Sequence, residues 1–172
     1  MTTVLERRTN LPISEAAYWR DIALNLDLHQ RLYLEQLGCI TFDVLSADGS
    51  AERGFSCKVR ITRALSAPAV ITKLFGRTTC VEEHWQYDPA RRALLVRTVP
   101  DKLSERILLQ SEFHVERAGD GIVEVTRRSV QCDVFGVGAL LERFAAASFE
   151  EGDVEREGFL RRAVAEHAAR AH

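Results

Sequence analysis

The sequence lacks the features that mark several classes of protein. No apolar run approaches the ~20 residues of a membrane-spanning helix, and the opening stretch MTTVLERRTN contains no apolar core of a secretion signal. The formal net charge is only −2, so the chain has no basic excess for binding nucleic acid. We therefore expect a cytoplasmic protein that has no transmembrane segment and does not bind nucleic acid.

Cysteine is scarce, and its spacing is uninformative about metals. Cys39, Cys57, Cys80 and Cys132 form no CxxC pair, and each lies inside a predicted strand. A structural zinc site needs closer pairs, so we interpret these residues as small buried side chains in a reducing compartment. The length, with 46% hydrophobic and 28% charged residues, predicts one domain over residues 1–172.

Motifs of common enzymes and cofactor sites are also missing. Gly-x-Ser-x-Gly does not occur, and the glycine pair at 136–138 lacks the rest of a dinucleotide fingerprint. We predict no cofactor and no metal. The sharpest pattern is the pair Glu82-x-His84 and Glu112-x-His114, in which the two side chains share a strand face. Both pairs fall opposite the apolar register, which favours a solvated outer face over a metal site.

The N-terminal part combines a strand with two short helices. Residues 4–10 alternate between polar and apolar and are followed by Leu-Pro, which ends a strand. Ser14 is the predicted N-cap of a helix that runs to about Leu24. Asp27 is predicted to cap a second short helix, which ends at Gly38.

Between residues 39 and 134 the apolar pattern changes to a period of two. It predicts six strands separated by turn signals such as DGS at 48–50 and GDG at 119–121. Strands that are joined by short turns and have one apolar face form an antiparallel sheet. The exception is the segment 66–76 (SAPAVITKLFG), in which Pro68 suits the first turn of a helix. We interpret this segment either as a lid over a cavity or as a static connection.

The longest helical pattern runs from 134 to 167. Alanines and Ser148 in its middle leave little side-chain volume opposite a broad sheet. Gly152 and Gly158 predict a kink or an early end, and residues 155–172 are predicted to form a solvated extension. The first half has apolar side chains at the spacing of one helix face. These are Val137, Leu140, Leu141, Phe144 and Ala147.

The order of strand, two short helices, six strands and long helix resembles the helix-grip fold of the START-like superfamily, also called SRPBCC, which includes the birch-pollen-allergen-type proteins. Residues 39–144 are most similar to a bacterial START-like family of uncharacterised function, through the segments APAVITKLFG, VEEHWQYD, VRTVP, ERAGDG and VFGVGALLE. The resemblance implies an α+β fold with a curved seven-stranded antiparallel sheet wrapped around the C-terminal helix. It also implies a cavity for a lipid, sterol, polyketide or other apolar molecule, without a shared set of catalytic residues.

The apolar strand faces predict the wall of this cavity, and the alternative is that they pack as a filled core. Glu83 and Arg127 fall in these apolar registers, where an unpaired charge is costly. We interpret them as polar contacts for a ligand's head group or as ion pairs at the rim, and Arg97 has the same status. The predicted wall is Phe55, Cys57, Val59, Val81, Trp85, Leu95, Leu109, Phe113 and Val125 from the strands, with Leu141, Phe144 and Ser148 from the helix.

Three functions fit these patterns. We expect binding of one hydrophobic or amphipathic, lipid-like small molecule, for carriage or sensing. The resemblance also admits an enzyme of the cyclase/aromatase or hydratase type, with Glu83, Tyr87 and Arg127 as acid–base candidates. The third is a ligand-independent protein-interaction module, in which the long helix contacts a partner protein.

Overall fold

A computed structural model describes residues 2–170 and shows an antiparallel sheet closed on one side by a long helix. Within these residues the sheet has seven strands in the spatial order β1-β7-β6-β5-β4-β3-β2. The α+β prediction is therefore confirmed. The strands are β1 Thr2–Leu11, β2 Thr41–Ser50, β3 Gly54–Ala64, β4 Thr78–Asp88, β5 Ala93–Pro100, β6 Ile107–Ala118 and β7 Gly121–Cys132.

Two short helical segments follow β1 and form one wall of the core. The first, α1, is Glu15–Ala17 and continues as a wider π-type turn over Tyr18–Ala23. The second, α2, is Leu26–Arg31 and continues in the same way over Leu32–Gln36. Side chains of both segments are buried against the sheet, including Tyr18 and Leu32.

Only one of the two predicted helix caps is confirmed. The Ser14 hydroxyl accepts a hydrogen bond from the amide of Ala17 at 3.3 Å, as predicted. The prediction that Asp27 caps the second helix is wrong, because the helix already begins at residue 26. The cap is Asn25, whose Oδ1 accepts from the amide of Leu28 at 3.0 Å.

The long helix α4 extends over Gly138–Arg170 without interruption. The predicted early end at Gly152 or Gly158 is therefore wrong. The predicted extension is helical over residues 155–170 and has an exposed charged face, but it is not fully solvated, because apolar side chains on its other face are buried in the core. Residues 171 and 172 lie outside the described residues. The buried side chains are Phe159, Leu160, Ala163 and Val164. No helix of the described chain is long and apolar enough to cross a membrane.

A short helix, α3 (Ala69–Phe75), interrupts the strands where the segment 66–76 predicted one. Pro68 precedes it, and Gly76 ends it with a φ of 88°, a conformation that a residue with a Cβ adopts only with strain. Ile71 and Phe75 of α3 pack with Leu141 of α4 in a second apolar cluster, separate from the main core. The space between these two clusters is not filled by side chains.

Candidate ligand-binding cavity

A cavity of about 960 Å³ lies between the inner face of the sheet and α4. It exists because α4 packs mainly against β1, β7 and the turn Leu32–Gln36, which leaves the inner face of the central strands without a covering helix. Pockets for small molecules commonly span about 300–1,000 Å³, so this cavity is at the large end of that range.

One end of the cavity is apolar. We call this end the apolar lobe, and it is formed where strands β4 to β6, α3 and the start of α4 meet. Its side chains belong largely to the second apolar cluster, which leaves a gap between the sheet and the two helices. The lobe is lined by Ile71, Phe75, Val81, Pro100, Ile107, Leu109, Leu141 and Phe144.

A line of polar side chains crosses the inner face of the sheet beside this lobe. We call Glu83, Thr98, Ser111 and Arg128 the polar row, and each of them lines the cavity. The register explains their alignment, because Glu83 lies opposite Thr98 on the next strand and Ser111 lies opposite Arg128. Directly opposed residues have Cβ atoms about 5 Å apart. The cavity therefore combines an apolar end with hydrogen-bonding groups near its middle.

Glu83 is the acid of the polar row and is only 8% exposed. Its carboxylate accepts hydrogen bonds from the Tyr33 hydroxyl at 2.9 and 3.0 Å and from Trp85 Nε1 at 2.9 Å. Burial raises the pKa of Glu83, although the hydrogen bonds from Trp85 and Tyr33 and the nearby Arg128 act in the opposite direction. Burial and the neighbouring Glu83 also raise the pKa of Tyr33, so its hydroxyl remains a donor at neutral pH.

Arg128 is the base of the polar row and is bound to the helix. Its Nε donates to Oδ2 of Asp153 at 2.9 Å, and its second nitrogen also contacts that carboxylate. Its third nitrogen donates to the Ser111 hydroxyl at 2.6 Å. The guanidinium lies over the rings of Phe149 and Phe113, 4.8 and 5.5 Å from the centroids.

A second buried ion pair lies next to the first, between Glu124 of β7 and Arg156 of α4. The two side chains form two hydrogen bonds, of 2.5 and 2.8 Å. The hydroxyl of Tyr18 also donates to Glu124, and Thr126 donates to it at 3.2 Å. Burial acts to raise the pKa of Glu124, but Arg156 outweighs it and lowers the pKa below the ordinary value. Glu124 therefore stays charged.

The mouth of the cavity is marked by lining residues that are exposed to solvent, among them Glu155 of α4. Gln36 also lines the cavity and is bound to α4, because its amide nitrogen donates to Glu155 and its amide oxygen accepts from Arg162 at 2.6 Å. Arg63 and Glu151 also lie at the mouth. Arg63 is exposed and forms no ion pair with any described residue.

Many of the residues predicted for the wall do line the cavity: Val81, Glu83, Trp85, Leu109, Phe113, Leu141, Phe144 and Ser148. Their contact with a ligand remains a prediction. Cys57 and Val59 instead pack in the main core, with Phe55 partly buried against it, so for these three the filled-core alternative describes the structure.

The register predicted for β5 and β7 is wrong by one residue. Leu95 and Arg97 point to the outer face, and it is Leu94, Val96 and Thr98 that line the cavity. Leu95 is 42% exposed. The two neighbouring leucines at 94 and 95 leave the sequence without a clear alternation at this point.

In β7 the error has a different cause. Arg127 lies on the outer face, where its Nε donates to Glu6 at 2.8 Å. Val125 also lies on the outer face, opposite His114, although it is fully buried. Two charged residues of this strand, Glu124 and Arg128, point inward, where α4 supplies a partner of opposite charge for each. An acid at 124 and a base at 128 lie on the same face of the strand, and Asp153 and Arg156 lie three residues apart on the helix. This matching of charges is the sequence signal that identifies the two buried ion pairs.

The two acid–histidine pairs lie on the outer face. Glu82 forms an ion pair with Arg60 of the next strand at 2.8 Å, and the pKa of Glu82 is lowered chiefly by that hydrogen bond. His84 lies opposite Arg97 and not opposite a cavity residue. No group of three metal-ligating side chains is close enough to hold an ion in the described part of the chain.

A curved antiparallel sheet that grips a long helix around a cavity is the helix-grip fold, as predicted. The chain superposes on TTHA0849 from Thermus thermophilus with a TM-score of 0.66 at 13% identity, over 97% of this chain and 99% of that one. It superposes equally well, with a TM-score of 0.66 at 11% identity, on the Zhui aromatase/cyclase from Streptomyces sp. R1128, over 100% and 97% of the two chains. For Ara h 8.0201 the TM-score is 0.59 at 12% identity, over 92% and 97%. No family model and no curated protein matches the sequence.

Proposed function

We propose that this protein binds one hydrophobic or amphipathic, lipid-like small molecule in the cavity between the sheet and α4, for carriage or sensing in the cytoplasm. The observation that carries the proposal is the cavity of about 960 Å³ with an apolar lobe and a polar row. Burial of apolar surface in such a space is the main source of affinity for an apolar ligand. Residues 1–172 would then act as one START-like domain.

The arrangement of the lining supports an amphipathic ligand. Its apolar body would contact the apolar lobe, including Val81, Leu109, Leu141 and Phe144, and its polar group would lie at the polar row beside Glu83. Ser148 also lines the cavity, and its small side chain leaves more space for a ligand than a larger residue would.

Native mass spectrometry of the purified full chain tests this proposal. A protein that has taken up a ligand in the cell is expected to show an added mass that disappears after extraction with organic solvent, and the extract then contains an apolar compound. A dry protein that acquires no ligand from a broad panel of lipids and sterols would contradict the proposal.

An aromatase/cyclase-like enzyme is the second candidate, and the similarity to the Zhui aromatase/cyclase supports it. Of the three acid–base groups suggested by the sequence, only Glu83 lines the cavity. Tyr87 is buried in the core against Trp19, and Arg127 lies on the outer face, so neither is in a position to act on a bound molecule. The candidate predicts that the protein accelerates formation of an aromatic ring from a linear poly-β-ketone and that Glu83→Gln abolishes the acceleration.

A protein-interaction module through α4 has less support. The apolar face of its C-terminal half, with Phe159 and Leu160, is buried in the core of the protein itself. An interaction through this helix would have to use its charged outer face.

A further inference from the structure

Three arginines of the described residues line the cavity; Arg63 is exposed at the mouth, whereas the two inside, Arg128 and Arg156, are already matched by acids. Arg128 is held by Asp153 through three hydrogen bonds, and Arg156 is held by Glu124 through two. Such multiple, charge-assisted contacts satisfy the guanidinium groups and fix their geometry. Neither arginine therefore offers an unpaired positive charge to a ligand in the cavity.

The remaining groups of the polar row are neutral or acidic. Glu83 accepts hydrogen bonds only from the uncharged Tyr33 and Trp85 among the described residues. The Thr98 hydroxyl has no partner in the described part of the chain, and the Ser111 hydroxyl accepts from Arg128 and so keeps its own proton free to donate. These are the donors and acceptors that an alcohol or a carbonyl group needs.

Resting on the function proposed above, we infer that the cavity selects electrically neutral ligands: an apolar body in the apolar lobe with a hydroxyl or carbonyl oxygen at the polar row. A carboxylate or phosphate placed there would be a buried anion without a cation to pair with, next to Glu83. An unpaired buried charge is much more costly than a hydrogen-bonded neutral group.

The state of Glu83 and the charges at the mouth support this inference. Burial raises the pKa of Glu83, because a negative charge is disfavoured at this position of the cavity. At the mouth Arg63 forms no ion pair with a described residue, and two acids, Glu151 and Glu155, line the same opening, so negative charge is in excess there. An anionic head group is therefore not favoured at the entrance either.

A displacement assay distinguishes neutral from anionic ligands of equal length. The full-length protein is loaded with the uncharged fluorophore N-phenyl-1-naphthylamine, which is then displaced by 1-dodecanol or by dodecanoate at about pH 7.5, where dodecanoate is ionised. We expect dodecanol to bind at least about tenfold more tightly, a difference of 1.4 kcal/mol. In Asp153→Asn, where Arg128 loses its acid, this preference should shrink by a similar factor, while Glu157→Gln, an acid-to-amide change outside the cavity, should retain it.

Equal or tighter binding of dodecanoate by the wild-type protein would overturn the inference and leave the proposed function standing, because both compounds would then be ligands. Failure of the fluorophore and both displacers to bind would overturn the proposed function and this inference together. The comparison of dodecanol with dodecanoate in the wild-type protein tests the inference even if Asp153→Asn does not fold.

Discussion

Arg128 Nε lies 2.9 Å from Oδ2 of Asp153, and this ion pair joins the middle of the last strand to the middle of the long helix. Both side chains are nearly buried, at 13% and 8% exposure. With Arg156 and Glu124 one turn further along, the pair connects sheet and helix through long charged side chains instead of direct apolar contact. These pairs lie beside the cavity, which both arginines line.

This role predicts a large loss of stability when one partner is removed. Asp153→Ala leaves a buried guanidinium without its acid, and the free energy of unfolding should fall by about 3–5 kcal/mol. The measurement is urea unfolding followed by circular dichroism. The double variant Arg128→Met, Asp153→Leu should recover most of the loss, since it removes both charges and leaves none unpaired.

The outer-face pair Arg127–Glu6 is the matched control for this experiment. Its side chains are 56% and 41% exposed, so Glu6→Ala should change stability far less than Asp153→Ala. Equal effects of the two substitutions would show that burial of the inner pair does not determine its contribution.

Glu83 gives a prediction for the pH dependence of stability. Burial raises its pKa above the ordinary value of 4.5, so its contribution to stability is present below pH 4.5 and is lost as the pH rises through the folded-state pKa. Glu83→Gln removes this titration. The variant should therefore gain stability relative to wild type as the pH is raised from 4 to 8, measured by urea unfolding at each pH.

Glu82, the neighbour on the outer face, should show the opposite sign. Its pKa is lowered by Arg60, so its contribution is present above the ordinary value of 4.5 and is lost as the pH falls. Glu82→Gln should thus lose stability relative to wild type as the pH rises. The same trend in both variants would contradict the assignment of Glu83 to the buried inner face.

His29 gives a second prediction about pH, in the acid range. Its Nε2 lies 2.9 Å from the carbonyl oxygen of Ala23, while its Nδ1 is buried without a partner in the described structure. Burial lowers its pKa from 6.5 to about 4. The neutral ring therefore contributes stability above pH 6.5 that is lost as the pH falls towards 4, an effect of about 3 kcal/mol. His29→Gln should remove this loss of stability, measured by urea unfolding at each pH. The same slope of unfolding free energy against pH in the variant and the wild-type protein between pH 6.5 and 4 would contradict the prediction.

How much the sequence reveals differs between elements. In β4 the alternation of Val81, Glu83 and Trp85 gives the bounds and the inner face correctly, because burial of one face alone sets the pattern. In β7 the inward-facing Glu124 and Arg128 are charged. Their burial is tolerated because Arg156 and Asp153 of α4, more than twenty positions away, pair with them. The apolar pattern within the strand does not contain these distant partners, so it assigns Arg127 and Val125 to the wrong face.

The end of the long helix shows the same limit. Gly152, Gly158 and a charged composition indicate a break in an isolated helix. Phe159 and Val164 are nevertheless buried in the main core, where α4 packs on β1 and on the turns Tyr18–Ala23 and Leu32–Gln36, and this burial outweighs the low helix propensity of the glycines. Propensity predicts the start of α4 but not how far it continues.

Filling the cavity with a larger side chain tests whether it takes up an apolar molecule. Ser148 lines the cavity, whereas Glu150 lies on the exposed side of the same helix and does not. Fluorescence titration with N-phenyl-1-naphthylamine should show saturable binding to the wild-type protein and to Glu150→Phe. In Ser148→Phe the affinity should fall at least about tenfold, or 1.4 kcal/mol, with the circular dichroism spectrum unchanged. Equal affinity of the two phenylalanine variants would contradict the account.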